Sequence, residues 1–213
     1  MNIGVTGGTR SGKSSLAQKL VADRSAAKST SGHPGRVVVV VFGRPNCDGE
    51  FDDRIARHKA DRPFTWETLE LGGLPSSQWS ATLSQAASST IDVVLVDCVG
   101  TLLSCLMEET LSALYGKDYF ERDEMDGELV TTVALQTKPF LDLLAHLGGD
   151  GVFVTNEVGM SLVPSTAMGR LFADSLGRVN QYLGMLCKKT YLAIGGKAID
   201  LTDLAAQPSW EQP

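Results

Sequence analysis

Residues 2–14, NIGVTGGTRSGKS, decide the fold. A short continuous apolar run (2–6) leads into GGTRSGKS (7–14), which fits GxxxxGK[ST] with Gly7, Gly12, Lys13 and Ser14 at the fixed positions. A helical pattern carrying Leu16, Leu20 and Val21 follows. In such a strand, loop and helix the backbone N–H groups of a glycine-rich turn curl around phosphates, and the helix N-terminus adds partial positive charge. Gly7, Gly8, Thr9, Arg10, Ser11 and Gly12 then form the cradle, Lys13 reaches the β- and γ-phosphates, and Ser14 ligates Mg²⁺.

Four more stretches read as buried strands: 37–42 (VVVVVF), 91–97 (IDVVLVD), 151–155 (GVFVT) and 190–195 (TYLAIG), with a short additional strand near 68–71. They are continuous rather than alternating, as strands covered on both faces are. Helical stretches lie between them, so the expected architecture is α/β, a P-loop NTPase-like three-layer fold with a mostly parallel central sheet. The helix near 166–186 is the clearest amphipathic element, with Met168, Leu171, Phe172, Val179, Leu183 and Leu186 on one face. Arg170, Asp174, Arg178 and Gln181 lie opposite, either a solvated face or an Arg-rich flank to a phosphate site. Asp97 ends the third strand in a Walker-B-like position, suited to holding Mg²⁺ directly or through water.

At 213 residues the chain suits a single domain over 1–204, with a flexible linker at about 24–36, an acidic insert at about 108–128 and a loose tail at 205–213. No apolar run approaches a membrane span, and the N-terminus enters a strand without a signal-peptide pattern, so a cytoplasmic protein is expected. The four cysteines, Cys47, Cys98, Cys105 and Cys187, form no CxxC pair and read as reduced thiols in or near the core. Lys and Arg total 19 against 25 Asp and Glu, a net −6. Residues 108–128 hold eight acids and two bases, so the excess lies wholly there and the remaining 17 of each sign cancel. A nucleic-acid surface, which needs clustered positive charge, is not expected. The acidic segment reads as a solvated connection or as a flap over a substrate that is not polyanionic.

His33, in the linker, and His146, ending an apolar helical stretch, read as structural or exposed. His58 has different neighbours: RIARHKADRP carries Arg54, Arg57, Lys59 and Arg62 against Asp61. On a helix Arg54, His58 and Arg62 share a face. The cations disfavour imidazolium and keep His58 neutral near pH 7, with a nucleophilic lone pair, and would draw in a triphosphate. Spacing alone leaves two readings open, a solvated basic helix and a histidine nucleophile.

Taken in order, GGTRSGKS (7–14), RIARHKADRPFTWETLE (54–70), VLVDC (94–98), TNEVGMSLVP (155–164) and GRLFADSLGRVNQ (169–181) resemble the bifunctional adenosylcobinamide kinase and adenosylcobinamide-phosphate guanylyltransferases of cobalamin biosynthesis. The resemblance runs from about residue 2 to 195. It implies phosphorylation of adenosylcobinamide by ATP or GTP, then transfer of GMP from GTP to the new phosphate through a histidine-GMP intermediate, giving adenosylcobinamide-GDP. By the resemblance, His58 and Lys13 are the catalytic residues, Lys59, Ala60, Asp61 and Arg62 line the nucleotide site, and Glu70 and Asp97 complete it. Glu70 would accept from the guanine edge. The corrinoid would need an open groove, and the resemblance implies a homotrimer. The chain departs from the family at Gly43 and Arg44, where a small Ala-Thr pair is usual, at Gly100 and Cys105, and in the longer linker. A simple P-loop kinase for a small metabolite or nucleotide would account for Lys13, Ser14 and Asp97 but leave the His58 cluster unused. A non-catalytic nucleotide-binding switch lacks its NKxD motif here.

Overall fold

Alternate valines of one short run face opposite cores: Val38 and Val40 enter the larger cluster with Phe42, Trp79 and Phe153, while Val37 and Val39 enter the smaller with Ile3, Val5, Ala17 and Val21. A sheet with apolar side chains on both faces needs cover on both. The computed structural model describes residues 1–30, 32–44, 56, 59–60, 62–122 and 124–203. His58, Asp61, Arg54, Arg57, Cys47 and the tail lie outside the described residues.

The strands are β1 (Asn2–Gly7), β2 (Val37–Val41), β3 (Glu67–Glu70), β4 (Val93–Asp97), β5 (Asp150–Val154), β6 (Lys189–Ile194) and β7 (Lys197–Asp200). They form one seven-stranded sheet in the order β3-β2-β4-β5-β1-β6-β7, parallel throughout except for the β6–β7 pair. The expected strands all occur. β7 is additional: Gly195 and Gly196, at φ 57° and 74°, make the tight left-handed turn that returns the chain antiparallel along β6. Because β1 pairs with β5 on one side and β6 on the other, its carboxyl end opens at the middle of the sheet edge.

Helix α1 (Lys13–Ala27) packs on the small-cluster face with Lys13, Ala17, Val21 and Ser25 buried at four-residue spacing, while Leu16 and Leu20 are only partly buried. It runs through residues 24–27, which by composition alone read as part of the linker. Ser25 explains the extension, because its Oγ donates to Gly35 O at 2.7 Å and its carbonyl accepts from Gly35 N–H at 2.9 Å, folding the linker back onto the helix. The opposite face is covered by α2 (Ser76–Ala86), α3 (Val99–Tyr115), α4 (Glu128–His146) and α5 (Ala167–Leu186), all of which contribute to the large cluster. In α5, Leu171, Leu176, Val179 and Leu183 are buried, and the Thr166 side chain accepts from Gly169 N–H at 3.1 Å to cap the helix.

The acidic segment 108–128 is not one loop: α3 continues to Tyr115, a 3₁₀ helix spans Gly116–Glu121, and Leu111 and Tyr119 are buried. His33 and His146 are exposed. No helix among the described residues is long and apolar enough to cross a membrane.

Trp79 is fully buried, edge-on to Phe42 and Phe140, and its indole N–H donates to Leu71 O (2.9 Å) and Leu74 O (3.0 Å). Trp79→Ala is expected to lower the unfolding free energy by about 3–5 kcal/mol in urea titrations. Burial pushes the Cys105 thiol up to about 11 and the Cys187 thiol up to about 12. It also raises Cys98, where the Asp97 charge adds to the effect. The reactive thiolate forms only as pH rises toward those values. At pH 8, iodoacetamide should therefore leave Cys105 and Cys187 unmodified in the native protein while labelling them in the unfolded chain, as mass spectrometry would show.

Candidate active site

Strand β1 ends at Gly7, which cannot carry a side chain: a Cβ there would stand 2.3 Å from Ala193 O and 2.7 Å from Ser11 Oγ. The loop that follows is held by backbone bonds from two other segments. Gly196 N–H donates to Ser11 O at 3.2 Å, and Glu157 N–H donates to Gly7 O at 3.1 Å. Gly12, at φ 95°, is the N-cap of α1, with no side-chain cap and no acid in the first turn. The start of α1 therefore carries partial positive charge that no capping side chain or first-turn carboxylate offsets.

Gly8, Thr9 and Arg10 are exposed, Arg10 in the left-handed region at φ 57°. Ser11 is buried, and its Oγ has no hydrogen-bond partner among the described residues. Lys13 is 5% exposed and folds back so that Nζ donates to Gly8 O at 2.9 Å. Ser14 lies half-buried in the first turn of α1. A buried ammonium, a buried hydroxyl without a partner among the described residues and a helix start without a side-chain cap suit a polyanion such as a nucleotide phosphate chain.

Asp97 ends β4, two strands away from β1, and Arg62 reaches it: Arg62 Nη2 lies 3.6 Å from Asp97 Oδ2, with both side chains 8% exposed. Arg62 Nε is buried without a partner among the described residues. Glu70 ends β3 at the edge of the sheet, where Lys59 Nζ lies 3.0 Å away in an exposed pair. The structure thus brings Arg62 to Asp97 and Lys59 to Glu70, and keeps Glu70 four strands from the phosphate loop. Ala60 is exposed beside Lys59.

The family model described as cobinamide kinase / cobinamide phosphate guanyltransferase matches residues 3–201. The chain belongs to this family. The family is one of bifunctional enzymes, and nucleotide substrates fit it. The chain is 31% identical over 204 residues to the bifunctional adenosylcobalamin biosynthesis protein CobU of Escherichia coli, covering 94% of this chain and 99% of that one. CobU of Salmonella typhimurium is 32% identical over 211 residues, 94% of this chain and 99% of its own. The bifunctional protein CobP of Pseudomonas aeruginosa is 29% identical over 197 residues, with 92% and 95% covered. Among solved structures, a KaiC-like protein of Pyrococcus horikoshii OT3 superposes with a TM-score of 0.44 at 12% identity, over 90% of this chain and 69% of its own.

Two parts of the site were not legible in the sequence. One is the β6–β7 turn that braces Ser11, for which the Gly195-Gly196 pair was the available signal. The other is Asn180, which donates Nδ2–H to Asn156 O at 2.9 Å and accepts from Thr155 Oγ1 at 2.6 Å.

Because a Cβ on Gly7 overlaps a backbone carbonyl, Gly7→Ala is expected to cost about 1–3 kcal/mol of stability, read as a lower Tm. It should also abolish binding of a fluorescent guanine nucleotide. Wild-type affinity in this variant would mean that the loop is not the nucleotide site.

Proposed function

We propose that the chain phosphorylates adenosylcobinamide with ATP or GTP and then transfers GMP from GTP to the product through a GMP adduct on His58, giving adenosylcobinamide-GDP. The observation that carries this reading is the family match over residues 3–201, which includes the GGTRSGKS loop running into a helix with no side-chain cap.

In the kinase step the hydroxyl of the aminopropanol arm attacks the γ-phosphorus and gives up its proton to solvent, the bond from that phosphorus to the bridging oxygen of the β-phosphate breaks, and a nucleoside diphosphate leaves. Lys13 and the N–H groups of the cradle Gly7, Gly8, Thr9, Arg10, Ser11, Gly12 and Ser14 hold the phosphates and offset the charge that builds on the leaving oxygen. In the transfer step a lone pair of neutral His58 attacks the α-phosphorus of GTP and pyrophosphate leaves. A phosphate oxygen of adenosylcobinamide phosphate then displaces histidine from the phosphoramidate. Splitting one displacement into two lets a single cationic cluster serve both.

Lys59, Ala60, Asp61, Arg62, Glu70 and Asp97 complete the nucleotide site in this reading. Four strand spacings of about 4.8 Å place Glu70 roughly 19 Å from β1, so it contacts guanine only in a nucleotide that lies along the sheet edge. Arg62, already drawn to Asp97, offers its unpartnered Nε to the phosphates. Mg²⁺ fits the oxygen donors present, the Ser14 hydroxyl and the Asp97 carboxylate, since this ion usually takes one or two carboxylates together with substrate phosphates. When bound it neutralises phosphate charge. Residues 1–204 act as one domain with 205–213 as a tail, in a cytoplasmic homotrimer whose open groove takes the corrinoid.

With α-labelled GTP and Mg²⁺, wild type is expected to take up acid-labile, alkali-stable label and His58→Ala none. Equal labelling of the two would overturn the transferase step. Lys13→Ala should slow phosphorylation of adenosylcobinamide by about 10²–10³-fold. Absence of phosphorylated corrinoid with wild type would overturn the kinase step.

A further inference from the structure

Strand β5 lies between β1, which leads into the phosphate loop, and β4, which ends at Asp97. The residues just past its end therefore stand between the two. Their main chain is fixed from both sides. Thr155, 3% exposed, donates from Oγ1 to Asn180 Oδ1 at 2.6 Å, and Asn180 Nδ2 donates to Asn156 O at 2.9 Å. Glu157 N–H donates to Gly7 O at 3.1 Å, tying the same turn to the phosphate loop. The Glu157 carboxylate is committed, with Oε1 accepting from Gly159 N–H at 2.8 Å.

The Asn156 carboxamide is not. It makes no hydrogen bond to any described residue, although its backbone is held in place by Asn180. Its Nδ2 lies 3.3 Å from where a Cβ on Gly100 would stand, in the first turn of α3 just beyond Asp97 and Cys98. Gly100 leaves room for the amide at this edge. A half-buried amide anchored through its own main chain, with two donors unspent, is poised to donate to a ligand. A neutral donor also avoids the desolvation cost of placing another cation beside Lys13 and Arg62.

We propose that Asn156 donates through Nδ2 to the terminal phosphoryl group of the bound triphosphate, and that Asn180 is the positioning residue that aims it. The inference rests on the proposed function for its triphosphate. A contact to the terminal group has a specific signature, because it contributes to binding a triphosphate and nothing to binding a diphosphate.

The experiment measures the affinity of the full chain for a non-hydrolysable GTP analogue and for GDP, each with Mg²⁺, by calorimetry. Asn156→Ala is expected to reduce the triphosphate-over-diphosphate preference by about 10–100-fold, the worth of a hydrogen bond to a charged group, with GDP affinity unchanged. Asn156→Asp keeps the size of the side chain but faces the phosphates with a carboxylate, and is expected to lose at least as much. Asn180→Ala should lose part of the same preference, and the Asn156→Ala/Asn180→Ala double variant no more than Asn156→Ala alone. An unchanged preference in Asn156→Ala and Asn156→Asp, or equal losses for GDP, would overturn the assignment. Corrinoid phosphorylation by wild type is followed separately. If it is absent while the preference falls as expected, the kinase reading fails and the phosphoryl contact stands.

Discussion

Ala193 O would stand only 2.3 Å from a Cβ on Gly7, so β1 can turn out of the sheet beside β6 only where the turning residue has no side chain. That contact sets the position of the loop after β1, and the rest of the carboxyl edge is keyed to it. The β6–β7 turn bonds Ser11 O, the segment after β5 bonds Gly7 O, and α1 starts from Gly12. Backbone groups from neighbouring segments hold the loop together with the Lys13 ammonium, which donates to Gly8 O. The Ser11 hydroxyl is buried without a partner among the described residues, and α1 starts without a side-chain cap; fixed donors of this kind stabilise charge without having to reorganise.

The ion pair between Arg62 and Asp97 belongs to the same economy of charge. Both side chains are almost buried, and burying two charges costs free energy that their mutual attraction repays only when geometry and further hydrogen bonds are good. At 3.6 Å, with Arg62 Nε lacking a partner among the described residues, this pair is a weak source of stability. It does hold a guanidinium from the His58 segment against the end of β4, where an anionic ligand could satisfy the remaining N–H. The exposed pair of Lys59 and Glu70 contributes less still, since water and salt screen it.

The strands were legible where burial on both faces made them continuous: VVVVV and VVLVD carry no competing pattern. β7 was not, because KAID is mostly exposed and becomes a strand only through pairing with β6 across the two-glycine turn. The end of α1 was missed for a similar reason, since RSAA is as small and polar as a linker and is kept helical by the Ser25 bonds to Gly35, ten residues on. At the candidate site, the turn after β1 could be read because glycine spacing records backbone geometry: Gly7 and Gly12 both stand at positive φ. The Arg62–Asp97 approach spans 35 residues and the Thr155–Asn180 clamp spans 25. No local pattern encodes either, so both had to be seen in three dimensions.

The acid excess also acquires local causes. Glu108 lies 2.9 Å and Glu109 4.0 Å from the Arg44 guanidinium, and Arg44 Nε donates to Gly72 O at 2.7 Å, so these two acids tie α3 to the chain beyond β2 and β3. Glu109 also accepts from Ser76 N–H at 3.0 Å at the start of α2. Asp126 accepts from Glu128 N–H at 2.9 Å at the start of α4, and Glu128 sits in the first turn of that helix, where negative charge is favoured by the helix dipole. Arg122, in turn, lies over the Tyr115 ring at 4.1 Å. Half of the eight acids in the segment are therefore accounted for by Arg44 and by helix starts, which removes the need for a charged flap to explain them. Positive charge at the carboxyl edge is then a local matter, set by Lys13, Arg62 and the start of α1, and independent of the net charge.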